Sequence, residues 1–278
     1  MSVIELTIII LIGSYFAGLL GSLTGLGGGF IIIPLLTLAL HVNIHYAIGA
    51  SLISVIATSS GSAAAYVKEG ITNMRLGMFL EIATTAGAMA GAIAAIYTPT
   101  QYIAILFGLI LITSALMSLH KKTVQLTKHK SYLAQKLKFN SSYPSAEGPV
   151  EYNVINVAGG FFAMLFAGVI SGLLGIGSGA LKVVAMDGIM RIPFKVSTTT
   201  SNFMIGVTAA ASAVVYLQRG YIDPGLSMPV VIGVLLGAVT GSKILVQSSS
   251  SKWIRIIFAI VVSVVAVQMI YNGILGKI

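Results

Sequence analysis

A lysine, two acids and a duplicated run of glycines are the residues of this chain with chemistry in them. Lys182, Glu81 and Asp187 stand in otherwise apolar sequence, in a chain that is 56% hydrophobic and 8% charged. An ionisable group in such surroundings is costly, so it marks a site or a pair. Lys182 suits an anion, or a partner such as Asp187, although a spacing of five is poor for two side chains on one helix. Glu81 and Asp187 are the groups able to carry a coupling proton. The glycine run at 17–29 reads AGLLGSLTGLGGG and that at 167–179 reads AGVISGLLGIGSG. Glycine is a poor helix former, so each run predicts an interruption of a helix. Backbone N–H groups at the helix start that follows attract anions, and glycine lets a ligand approach them. Gly27, Gly28 and Gly29 in the first run, and Gly177, Ser178 and Gly179 in the second, are therefore candidate substrate-binding residues. The hydroxyls of Thr24 and Ser178 could add donors.

Further donors open two later segments. The first carries Ser51 and Ser54, the second Thr198, Thr199, Thr200, Ser201 and Asn202. Neutral donors suit a site that must bind an anion and then release it, and Ser51, Ser201 and Asn202 join the candidate site. The competing role is a hydrogen bond back to the residue's own helix or to a neighbour, which is common in membranes. For Gly87 with Gly91, and Gly237 with Gly241, spaced by four, close helix packing is the better reading.

The elements that must position these groups are membrane helices. Soluble domains carry about 25% charged residues, so 8% over 278 residues, with a mean hydropathy of +0.98, predicts an all-α polytopic membrane protein. The formal charge of +9 does not indicate nucleic acid, because the basic residues gather in loops. With no cysteine there is no disulfide or thiol chemistry, and no cluster of ligands suggests a metal. Ser178 has no base beside it within a span, which argues against a serine enzyme. No cofactor is implied.

Five apolar segments occupy 3–24, 30–40, 47–67, 76–97 and 102–119, and five more 154–174, 180–190, 196–217, 228–246 and 253–275. An offset of 150 superposes the halves: Gly25 on Gly175, Ser51 on Ser201, Thr58 on Thr208, Gly87 on Gly237 and Gly91 on Gly241. This is an internal duplication. It divides the chain into a first transmembrane repeat (1–119), a basic connector with six lysines (120–152) and a second repeat (153–278). The connector reads as a solvated tether. Each repeat holds four or five helical segments, eight to ten in all, with broken helices at the glycine turns. If all five cross, the repeat is inverted; if each short second segment merely completes the first, it is parallel. Lys68, Arg75, the connector lysines, Arg191, Lys195, Lys252 and Arg255 fall on one side in the inverted case, against Arg219 and Lys277 on the other. The positive-inside rule favours that arrangement, with 120–152 cytoplasmic and the chain in the cell membrane. The shortness of the second segments argues for the parallel one.

These residues resemble the TauE/SafE family of sulfite exporters. The shared features are Thr24-Gly25-Leu26-Gly27-Gly28-Gly29, the later Gly49-Ala50-Ser51 and Thr199-Thr200-Ser201-Asn202-Phe203, and the basic mid-chain connector. The second copy departs from the pattern, with Leu174 in place of Thr24 and Ser178 in place of Gly28. The resemblance implies secondary-active transport of sulfite, sulfoacetate or related small anions, with a proton as the coupling ion. It also implies about eight helices. The partners expected are a small anionic substrate and the bilayer, with no nucleic acid; self-association is left open. A passive anion channel, or a carrier of another solute or of a cation, is the alternative.

Overall fold

The computed structural model describes residues 3–24, 28–68, 70–119, 131–145, 148–247 and 251–278. All ten apolar segments form helices. The first repeat contains α1 (Val3–Thr24), α2 (Gly29–Pro34), α3 (Ile44–Lys68), α4 (Met74–Tyr97) and α5 (Thr100–Leu119). The connector adds α6 (Tyr132–Lys136) and a hairpin of β1 (Ser141–Ser145) and β2 (Gly148–Tyr152). The second repeat contains α7 (Val157–Leu174), α8 (Gly179–Val184), α9 (Phe194–Gln218), α10 (Pro224–Gln247) and α11 (Ser251–Ile274). Among the described residues five helices are long and apolar enough to cross a membrane: Ile4–Ser22, Met74–Tyr97, Val157–Leu174, Phe194–Gln218 and Pro224–Gly241.

The halves are interlocked through glycine. Gly233 and Gly237 of α10 lie against Leu11 O and Tyr15 O of α1, and Gly18 lies against the backbone of Val234. Gly87 and Gly91 of α4 meet Leu165 O and Val169 O of α7, while Gly168 and Gly172 meet Thr84 O and Ala88 O. A side chain at any of these would collide with backbone, so the spacing of four here serves packing. We expect Gly172→Leu to leave no folded monomer in detergent, because backbone opposite Gly172 cannot move aside as a flexible side chain would. Size-exclusion of a fluorescent fusion checks this; a normal profile would contradict it.

Helix directions settle the repeat. Numbers climb together in α1 with α10 and in α4 with α7, so those pairs are parallel. The repeat mates α5 and α11 run oppositely: Gly108 meets Ala266 and Ile270, whereas Gly273 meets Gln101 and Ile105. The mates α3 and α9 do the same, with Gly49 against Tyr221, Gly206 against Ser59, and Asn73 N donating to Thr200 Oγ1 at 3.1 Å. A two-fold axis along the helices would leave mates parallel. These are antiparallel, so the axis lies across them and the repeat is inverted.

The short second segments fit this arrangement. Each runs on from its α-helix through a π-helical turn, Leu35–Ala39 after α2 and Ala185–Ile189 after α8. At 1.5 Å per residue such a half-helix is about 16 Å long, half the thickness of the hydrocarbon core. It starts at mid-depth, where Gly29 touches Ser51 and Val55 of α3, and returns to the face where α3 begins. Shortness therefore reflects where the segment starts and not a missing crossing. Each half thus has five helical segments, four long and one of half length.

One face gathers Asn73, Phe139, Tyr152, Ile155 and Met190: Asn73 Nδ2 donates to Phe139 O (2.8 Å) and Tyr152 Oη (2.9 Å), and Ile155 N to Met190 O (3.2 Å). The opposite face holds His45, stacked 5.0 Å from Tyr221, with Arg219 bonded to Tyr97 and Thr100 to the carbonyl of Ile278. The first face thus carries the connector and Arg191, the second Arg219 and Lys277. The chain has no cysteine of its own, so single replacements report cleanly. Arg191→Cys and Lys138→Cys should label from one side of the membrane and Arg219→Cys from the other; labelling of all three from one side would contradict the inverted fold.

The tether expectation does not describe 131–152. Ala134, Phe139 and Tyr152 are buried with Leu76, Leu80, Met186 and Met190 in one apolar cluster. Aromatic burial and the Asn73 hydrogen bonds dock this part of the connector onto α4 and the π-helical turn after α8. Lys121, Lys122, Lys128 and Lys130 lie outside the described residues.

Candidate functional site

The glycine turns come together against α3. Ser51 Oγ donates to Gly175 O at 2.8 Å, and Gly29 approaches the same carbonyl. Gly175 and Gly177 have φ of +67° and +70°, a conformation that costs other residues about 1 kcal/mol or more. Ser178 adopts φ +44° nevertheless. Its repeat mate Gly28 has φ −76°, so the two turns differ in shape. Ser178 Oγ is buried and makes no hydrogen bond. It borders a cavity of about 20 Å³ that Phe30, Ile110, Ser114, Leu181 and Val262 also line. That is room for about one water molecule. A sulfur oxyanion is larger than this cavity.

The remaining candidates are placed as follows. Ser201 Oγ donates to Gly179 O at 3.1 Å, within its own half, whereas Ser51 bonds across to the other half. Asn202 is buried beside it on α9. Thr84, Thr199 and Thr58 bond back to their own helices, and Ser51 and Ser201 to neighbouring carbonyls, as the competing role for hydroxyls anticipates. The Thr24 side chain and Gly27 lie outside the described set.

The charged residues assemble through a hydroxyl that the sequence did not single out for them. Lys182, fully buried at 0% exposure, points from α8 to α9 and donates to Thr208 Oγ1 at 2.5 Å. Thr208 in turn donates to Glu81 Oε1 of α4 at 2.6 Å. Thr85 adds a bond to the same oxygen at 3.3 Å. Glu81 is therefore the charge that Lys182 meets. Helical geometry explains the choice. Five residues on, Asp187 falls in the π-helical turn and is half-buried, while Thr208 of α9, which packs on both α8 and α4, links Lys182 to Glu81. A lysine assigned to substrate and a glutamate assigned to a proton thus form one cluster. Thr208, which joins them, was legible only as the mate of Thr58; two opposite charges in different spans were the signal that they must meet. Among the described residues no group of three or more His, Cys, Asp or Glu could hold a metal.

The chain matches the family described as "Sulfite exporter TauE/SafE" over residues 10–269. It is 30% identical to the probable membrane transporter protein YunE of Bacillus subtilis (strain 168), across 96% of this chain and 98% of that protein. It is 27% identical to the probable membrane transporter protein YdhB of the same organism, across 84% and 89%. Similarity reaches an archaeon: the probable membrane transporter protein MJ0441 of Methanocaldococcus jannaschii is 23% identical over 95% of each chain. No solved structure matches.

Proposed function

The chain belongs to the sulfite exporter TauE/SafE family, and on that footing we propose that it carries small sulfur-containing anions, such as sulfite or sulfoacetate, by proton-coupled alternating access. It is a multi-pass membrane transporter and not an enzyme. The observation that carries the proposal is the meeting of two broken helices from inverted halves beside an unpaired, buried hydroxyl, Ser178 Oγ. Inverted repeats with broken helices at their interface are the architecture of alternating access. In the open state the N–H groups of the turns at 27–29 and 177–179, with Ser51, Ser178, Ser201 and Asn202, hold the anion. Lys182 supplies positive charge, and Glu81 or Asp187 the proton. The basic face, 120–152 included, is cytoplasmic and the membrane is the cell membrane.

Uptake of labelled sulfite, sulfate, sulfoacetate and taurine into proteoliposomes tests this. Saturable flux of one anion, faster under an imposed pH gradient, is expected. Flux that rises linearly with concentration and ignores the gradient would replace the carrier with a channel. No flux of any of the four would remove sulfur anions as the cargo.

A further inference from the structure

We propose that Glu81, Thr208 and Lys182 form a one-proton exchange site: a proton taken up at Glu81 releases Lys182 to balance one negative charge of the cargo. The inference rests on the anion-carrier reading above and adds the stoichiometry to it.

Three observations support the site. Lys182 is wholly buried and Glu81 is 8% exposed, and each buried ion costs several kcal/mol unless its charge is matched. The site therefore tolerates two compositions: lysine with carboxylate, or lysine with a neutral acid and an anion. Glu81 Oε1 takes the hydroxyl of Thr208, while the buried Oε2 makes no hydrogen bond. Oε2 is where a proton from water can settle without displacing a donor. Finally, the cluster occurs once. The inverted repeat places Ile32, Thr58 and Val231 at the mates of Lys182, Thr208 and Glu81, and Ile32 is buried. The duplicated fold carries this hydroxyl-bridged Lys182–Thr208–Glu81 cluster in one copy, which is why we assign one proton to each cycle.

Among the described residues, Glu81 is the charge that acts on Lys182 and Lys182 the charge that acts on Glu81. α7, packed along α4, has no ionisable residue. On α9 the other charge is Lys195, about 20 Å along the helix from Thr208. On α4, Arg75 turns to Lys138 O at 3.5 Å. His45 and Lys68 stand at the two ends of α3, Lys136, Lys138 and Tyr152 in the connector, and Asp187 in the turn after α8. The link to the cavity is short: Gly179, Ala180 and Leu181 line it, and Lys182 is the next residue. Drawing Lys182 off Thr208 shifts the turn that carries Ser178.

The full chain in proteoliposomes gives two readouts. Hydrogen exchange of the amides of 179–190 needs no cargo. Taken relative to the intrinsic exchange rate at each pH, protection should fall as pH falls in the wild type, and Glu81→Gln should show the low protection at every pH. Protection that still depends on pH in Glu81→Gln, or that does not depend on pH in the wild type, would overturn the site. Sulfoacetate, ionised throughout from about pH 6 to 8, gives the stoichiometry when its uptake is measured alongside internal pH. One proton per sulfoacetate is expected in the wild type, and none in Glu81→Gln at whatever rate it carries the anion. A ratio of two, or an unchanged ratio in the variant, would refute the proposal. If sulfoacetate does not move at all, the cargo assignment fails, and amide exchange alone decides the site.

Discussion

Lys182→Met is expected to destabilise the protein more than any other single side-chain truncation, by about 3–5 kcal/mol, the usual cost of leaving a buried charge uncompensated. The change removes the donor to Thr208 and leaves the Glu81 carboxylate facing an apolar residue, with Oε2 still unbonded. Methionine fills most of the lysine's volume, so a lost cavity contact is a minor part of the effect. Adding Glu81→Gln should restore most of the loss, because it removes the stranded charge. The melting temperature in detergent micelles reads both, and the double-mutant cycle isolates the coupling. Equal destabilisation in the single and double variants would mean that packing, and not charge, holds α8 against α9.

Gly177→Leu should abolish transport, about hundredfold or more, while leaving membrane insertion intact. Gly177 lies at φ +70°, and a Cβ there would come within 2.7 Å of Ile205 Cγ2 and 3.1 Å of Val55 Cγ1. The turn must shift, and displacements of about 1 Å at a binding site are enough for losses of this size. Gly220 is the control. It has φ +72° with nothing within 4 Å of an added Cβ, so Gly220→Ala carries the backbone strain of about 1 kcal/mol without the collision and should transport normally. Unimpaired uptake in Gly177→Leu would remove the glycine turn from the cargo site.

Much of the fold was legible in the residues. Apolar runs fixed ten helical segments, since a chain with so few charges has only the bilayer to fold in. The 150-residue offset fixed the duplication, and the glycine runs fixed the helix breaks, because no other residue leaves a helix so readily at φ > 0. Loop lysines and arginines pointed to the inverted arrangement, since charge is sorted across a membrane before packing begins. Tertiary structure decided the rest. Whether a short segment crosses depends on where it starts, and that is set by the contact of Gly29 with Ser51, distant in sequence. Whether 131–152 is a tether depends on Phe139 and Tyr152 finding Asn73 and Leu76, which composition cannot register. Lys182 and Glu81 are separated by most of a repeat and by the connector. Only the parallel packing of α4 on α7, with α9 alongside, brings them to opposite sides of Thr208. Sequence names the charges that must be neutralised, and the helix packing chooses the partner, because pairing is a matter of ångströms in space and not of spacing along the chain.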